Sequence, residues 1–182
     1  MSSRLHVAAA VGLLAALSAS RATAAEPRAS IAQPDMPAAL ALSPDEVVAL
    51  KLVATGTQNY ECRSKQGAPE QYEWALVAPE AELFDAGKKV GKHYAGPTWE
   101  NTKDGSKVVG EVKARADSPK PDAIPWLLLT VKQPATQGAF ARVTSVQRAE
   151  TQGGKPPAGA CKPGETRKVP YSAVYYFARP KA

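Results

Sequence analysis

The chain has 182 residues, of which sixteen are proline and thirteen glycine, a density of chain breakers that leaves no room for a long helix. Its formal net charge is +6. The basic residues are scattered (Lys88, Lys89, Lys92; Lys162, Arg167, Lys168), which describes a solvated surface and not the one-sided stripe of a nucleic-acid footprint. No apolar run reaches the roughly 18 residues that a membrane span needs.

Residues 1–24 read as a secretory signal peptide, with Arg4 in a positive leader, an apolar stretch over residues 7–17 and Ala22-Thr23-Ala24 as the small-residue cleavage site. Removal would take away Arg4 and Arg21 and lower the net charge from +6 to +4. No cysteine follows the cleavage site, so no lipid anchor is expected there. The mature protein is expected to be soluble and exported, periplasmic or extracellular. In an oxidising compartment Cys62 and Cys161 are expected to bond to each other. A closed loop of about 100 residues is worth roughly 4.7 kcal/mol in the chain-entropy model. A reactive or metal-binding pair would want a Cys-x-x-Cys spacing or a neighbouring histidine, and neither is present.

Residues 25–40 are rich in Ala and Pro and read as an irregular lead-in to a single domain over residues 41–180. Ser43-Pro44-Asp45-Glu46 fits either a helix start or a turn. The alternation that follows decides for a strand. Val48, Leu50, Leu52 and Ala54 share one face, Gln58, Tyr60 and Cys62 continue at period two, and a bulge or bend is expected near Gly56. Tyr72, Trp74 and Leu76 share a face of the next strand, and a short piece holding Leu83 and Phe84 ends at Asp85-Ala86-Gly87. Residues 91–111 read as strand, bend at Gly96-Pro97, strand, hairpin at Asp104-Gly105 and strand. The apolar run of residues 124–132 predicts a strand buried on both faces. Strands over residues 139–148 and 171–178 complete the set, and the turn-rich stretches 119–125, 151–159 and 162–165 separate them. The pattern predicts an all-β antiparallel domain, a sandwich or a barrel closed by one disulfide.

Candidate functional residues gather in the 91–111 stretch. His93 is the one histidine beyond the signal peptide. Its ordinary pKa suits a general base, with Glu100 or Asp104 to orient it, although a packed histidine at a turn is the commoner use. Tyr94 and Trp99 could stack on a sugar or another flat ligand, or serve only as core. His93, Tyr94, Trp99 and Glu100 are therefore the candidate ligand-binding set. A single histidine excludes metal centres of two or three histidines within one chain, and no metal site is predicted. Glu73, Glu80, Glu82 and Glu100 leave a carboxylate-pair hydrolase open. There is no calcium loop, nucleophile elbow, phosphate-binding loop, dinucleotide fingerprint or His-Glu-x-x-His, and no cofactor is called for.

Several segments together resemble a known family. These are Gly56-Thr57-Gln58-Asn59-Tyr60-Glu61-Cys62, Trp74 with Pro79-Glu80-Ala81-Glu82-Leu83, and His93-Tyr94-Ala95-Gly96-Pro97-Thr98-Trp99-Glu100 with Asp104-Gly105-Ser106. Ile124-Pro125-Trp126-Leu127-Leu128-Leu129, Gln147-Arg148, Thr151-Gln152-Gly153-Gly154 and Val169-Pro170-Tyr171-Ser172-Ala173 continue the pattern in order. They resemble the domain-of-unknown-function family 3455 of exported bacterial and fungal proteins, over roughly residues 38–178. The resemblance implies a secreted single domain with both cysteines in pattern, and it implies no activity. Three functional readings follow. The first is a non-catalytic protein of the cell envelope that binds a small molecule, a surface or an envelope or extracellular polymer. The second is a small hydrolase or lyase using His93, and the third a structural or stress-protective secreted protein.

Overall fold

The computed structural model describes residues 31–181. The signal-peptide reading and the first residues of the lead-in lie outside them. Eight strands form one closed antiparallel barrel in sequence order. They are β1 Glu46–Lys65, β2 Ala68–Asp85, β3 Lys88–Tyr94, β4 Thr98–Asn101, β5 Lys107–Ala116, β6 Trp126–Gln133, β7 Ser145–Gly153 and β8 Thr166–Pro180. β8 returns to pair with β1, so of the two all-β architectures open from sequence the chain adopts the barrel, and closure removes the unpaired sheet edge. The only helical turn among the described residues is a 3-10 turn at Ala38–Leu40, and no helix there is long and apolar enough to cross a membrane.

Alternation along the strands sorts side chains into two cores. Leu52, Leu83, Trp99, Val108, Leu129, Val146, Tyr175 and Phe177 point into the barrel. Trp126, Leu128, Ala149, Val174 and Tyr176 form a second cluster on the outer face. That cluster is roofed by Leu40, which is 0% exposed, with Ile31, Met36 and Leu42 beside it. Gln147 fastens the roof by donating from Nε2 to the Leu40 carbonyl at 2.6 Å. β6 is thus buried on both faces, as its apolar run predicted.

Some local readings move. Val48 packs with the outer cluster and not beside Leu52, because a register shift between Val48 and Leu50 flips the alternation. The second irregularity of β1 falls between Asn59 and Tyr60, not at Gly56. Gly56 has another reason to be glycine: a Cβ there would lie 2.1 Å from the Glu80 carbonyl oxygen across the strand pair. Residues 68–85 make one continuous strand where two pieces were expected. β7 starts at Ser145 instead of near Ala139. Arg142 takes a left-handed φ of 62° and holds the preceding residues in turns, while Phe140 and Val143 still plug the core. The strand then continues through Thr151, which reads as turn chemistry in sequence, by way of an irregularity at Glu150 (φ 51°).

Cys62 and Cys161 are joined, with their Cα atoms 5.8 Å apart. Backbone bonds from Cys62 N to Glu165 O (2.8 Å) and from Gly164 N to Cys62 O (3.0 Å) hold the bonded loop against β1. The β1–β2 ribbon runs on past the last β2–β3 pair at Ala81 and His93, and so forms one wall of an opening at that end of the barrel.

Candidate functional site

The 91–111 stretch folds as its turn residues dictate. Gly96, at φ 85°, turns β3 into β4, and Gly105, at φ 72°, turns β4 into β5. His93 and Trp99 then face each other across β3 and β4 on the inner surface. Their rings stack with centroids 4.6 Å apart and planes at 11°, and Tyr175 of β8 closes on them at 5.0 and 5.2 Å. Gly110 supplies the space for the indole, since a Cβ there would stand 3.1 Å from its Cζ3.

His93 Nδ1 donates to the Thr98 carbonyl at 2.8 Å, because a carbonyl can only accept. Burial lowers the imidazole pKa to about 3; the Thr98 carbonyl opposes this and the Arg148 charge adds to it. The ring is therefore neutral, with its lone pair on Nε2. Neither carboxylate proposed to orient it does so. Asp104 accepts from the backbone of Ser106 (2.8 Å) and Ala139 (2.7 Å). Glu100 accepts from the Tyr94 hydroxyl at 2.7 Å and lies 3.5 Å from Lys92 Nζ. The Tyr94 bond holds the Glu100 carboxyl below its usual range, and that same bond raises the Tyr94 phenol. The candidate set therefore divides by strand parity: His93 and Trp99 point inward, Tyr94 and Glu100 outward.

The inward pair borders a cavity of about 620 Å³. Its mouth lies between Leu76, Val77 and Pro79 of β2, the Gly96-Pro97 turn and Val112 of β5. Ile124, Leu127 and Leu129 give it an apolar wall, and Gln58, Trp99 and Tyr175 a polar one. Eight-stranded barrels have an interior just wide enough to be filled by side chains or to hold one small ligand, and this volume lies within the usual 300–1,000 Å³ of ligand pockets.

The polar wall is under-satisfied. Gln58 Nε2, Trp99 Nε1 and Tyr175 Oη are buried there with no hydrogen-bond partner in the protein; Tyr171 Oη and Trp126 Nε1 are likewise unpartnered but do not line the cavity. Tyr171, Tyr175, Gln58 and Arg148 lie near enough to influence one another, but no pair of them meets hydrogen-bond geometry. Burial raises the pKa of both tyrosines, which stay neutral. Tyr60 is satisfied, donating to the Gly154 carbonyl at 2.6 Å. Arg148, inward on β7 beside Val146, donates from Nε (3.1 Å) and Nη2 (2.8 Å) to one oxygen, the carbonyl of Pro125. Among the described residues it belongs to no ion pair.

A second, more open depression of about 640 Å³ lies on the outer face of β1–β3. Its charges cancel locally, Glu80 with Lys168 and Glu82 with Lys89, so it offers little to an incoming group. No carboxylate lines the inner cavity, where a carboxylate-pair mechanism would need two.

Sequence reasoning passed over Gln58, Arg148 and Tyr175 as site residues. The signal was parity: Gln58 follows Leu52 and Ala54 at period two, and Arg148 follows Val146. A polar side chain on an inward position of a barrel strand is the mark of a lumen site.

Neither the curated proteins nor the solved structures contain a match to this chain. A family model does match, over residues 43–179, from the turn before β1 almost to the end of β8 and across every residue that lines the inner cavity. The chain belongs to the family described as "Protein of unknown function (DUF3455)".

Proposed function

We propose that the protein is an exported, non-catalytic binding protein that holds one small molecule in the lumen of its barrel. The observation that carries this is the cavity of about 620 Å³ in which orphaned polar atoms face apolar walls. A buried polar group left without a partner costs on the order of 1–3 kcal/mol. Three such groups on a cavity wall are worth keeping where a ligand meets them. Catalysis is a poorer fit: His93, held neutral and bonded to a backbone carbonyl, has no carboxylate behind it.

Export is supported by the leader-like residues 1–24 and by the disulfide, which persists in oxidising compartments. A water-soluble barrel is supported by its pattern. Leu52, Leu83 and Leu129 face inward, while Lys51, Glu82 and Thr130 lie on exposed positions, the reverse of a lipid-embedded barrel with its apolar outer band. Within this reading His93 and Trp99 are ligand-facing, and Tyr94 and Glu100 brace the outside of the same corner.

The test uses N-phenyl-1-naphthylamine, a neutral apolar fluorophore. It should bind the native protein saturably at one site per chain and raise the Tm as its concentration rises. Val112→Asp at the mouth should weaken it. Absence of saturable binding, or binding unaffected by Val112→Asp, refutes the reading.

A further inference from the structure

The lumen reading leaves the chemistry of the ligand open, and the charges around the cavity narrow it. Three cations line it, Arg115, Arg148 and Lys155, and no Asp or Glu does. Lys155 and Arg115 are exposed at the rim, where Lys155 Nζ donates to the Pro121 carbonyl. Arg148 lies deeper and is only part-exposed. Two of its five N–H groups converge on the Pro125 carbonyl, and no carboxylate among the described residues reaches it. A part-buried guanidinium lacking an anion is costly to keep unless something brings one.

The orphaned atoms point to the same conclusion. Trp99 Nε1 and Gln58 Nε2 are donors only, and the Tyr175 hydroxyl can donate. Arg148 stands directly across the strand pair from Tyr175 and is flanked on its other side by Leu127, so cation and hydroxyl share one spot on the wall. A surplus of donors around a planar cation suits a planar, acceptor-rich anion, which a guanidinium can grip with two parallel bonds.

The mouth specifies the rest of the molecule. Leu76 is 53% exposed, Val77 51% and Val112 42%, and these are three of the six large apolar side chains exposed among the described residues. An anion seated at Arg148 would leave its remainder running past Leu127 and Ile124 and covering these three. A neutral sugar would bring no charge to Arg148 and no apolar body to these three side chains. Resting on the lumen-binding reading, we propose that the ligand is an amphipathic carboxylate, its acid group paired with Arg148 and its apolar body filling the mouth.

The experiment displaces N-phenyl-1-naphthylamine from the full protein with decanoate and, separately, with decan-1-ol, matched in chain length and differing in charge. Decanoate should compete about 10- to 100-fold better, the range for a hydrogen bond to a charged group. Arg148→Met should abolish that preference while the alcohol competes as before, and Arg115→Met at the rim should leave it intact. Equal potency of acid and alcohol on the unsubstituted protein overturns the proposal without any variant having to fold. So does a preference that survives Arg148→Met, or one lost with Arg115→Met. Either result leaves lumen binding standing, whereas failure of the naphthylamine to bind removes the lumen reading itself. Arg148→Lys, which keeps the charge and loses the fork, should retain part of the preference.

Discussion

Lowering the pH from 7 to 5 should destabilise this protein through a single residue, His93. The imidazole is 3% exposed, stacked on Trp99, and its folded pKa is pushed from 6.5 to about 3 chiefly by burial. The unfolded chain binds a proton there near pH 6.5 and the folded chain does not, so stability is fully present above about 6.5 and falls as the pH drops towards 3. At 1.36 kcal/mol per pH unit, the linkage between those two pKa values removes about 2 kcal/mol between pH 7 and pH 5. The window stops at pH 5 because Asp104, Glu80 and Glu100, whose pKa values are lowered by hydrogen bonds, contribute stability that is lost only in more acid solution. Urea denaturation at the two pH values should show a midpoint lower by about 1 M at pH 5, for an m-value near 2 kcal/mol/M. His93→Phe should flatten the profile. Equal midpoints at pH 7 and pH 5 would refute the neutral, desolvated histidine, and with it the description of the cavity wall.

Cys62→Ser with Cys161→Ser opens a bond between residues 99 apart and should cost about 2–5 kcal/mol, read as a large fall in Tm; no fall, or two free thiols in peptide mapping, would contradict the bond. Gly56→Ala brings a Cβ to 2.1 Å from the Glu80 carbonyl and should cost several kcal/mol or prevent folding, as circular dichroism would report. Leu40→Ala should cost about 2–5 kcal/mol although its segment has almost no regular structure; a loss below 0.5 kcal/mol would mean that the roof over Trp126 and Tyr176 is loose. Tyr94→Phe and Glu100→Gln, on the outer face, should leave naphthylamine binding unchanged, and weakened binding would return that pair to the site.

Parity explains both what the sequence disclosed and what it concealed. Period two makes β1 visible, a continuous apolar run β6 and β-prone composition β8, and Gly96-Pro97 and Asp104-Gly105 announce the corner between β3 and β5. Period two does not say which face is inside once a bulge intervenes, and the shift at Val48 and Leu50 sent Val48 to the outer cluster. β7 shows the same limit more strongly. Arg142 and Glu150 both adopt left-handed φ, unusual for their residue types, so the strand begins and ends later than its sequence pattern indicates. The functional candidates inherited this weakness. Reading His93, Tyr94, Trp99 and Glu100 as one group treats proximity along the chain as proximity in space, whereas adjacent strand residues point to opposite faces. His93 and Trp99 meet because a tight turn pairs them, while their partners arrive from distant strands, Gln58 from β1, Arg148 from β7 and Tyr175 from β8. Only barrel closure, the pairing of β1 with β8, brings those three within one lumen, and no local pattern encodes that closure. The visible trace was an arginine and a glutamine standing where the alternation called for valine or leucine. In a barrel, such a departure marks where the interior is meant to be wet or occupied.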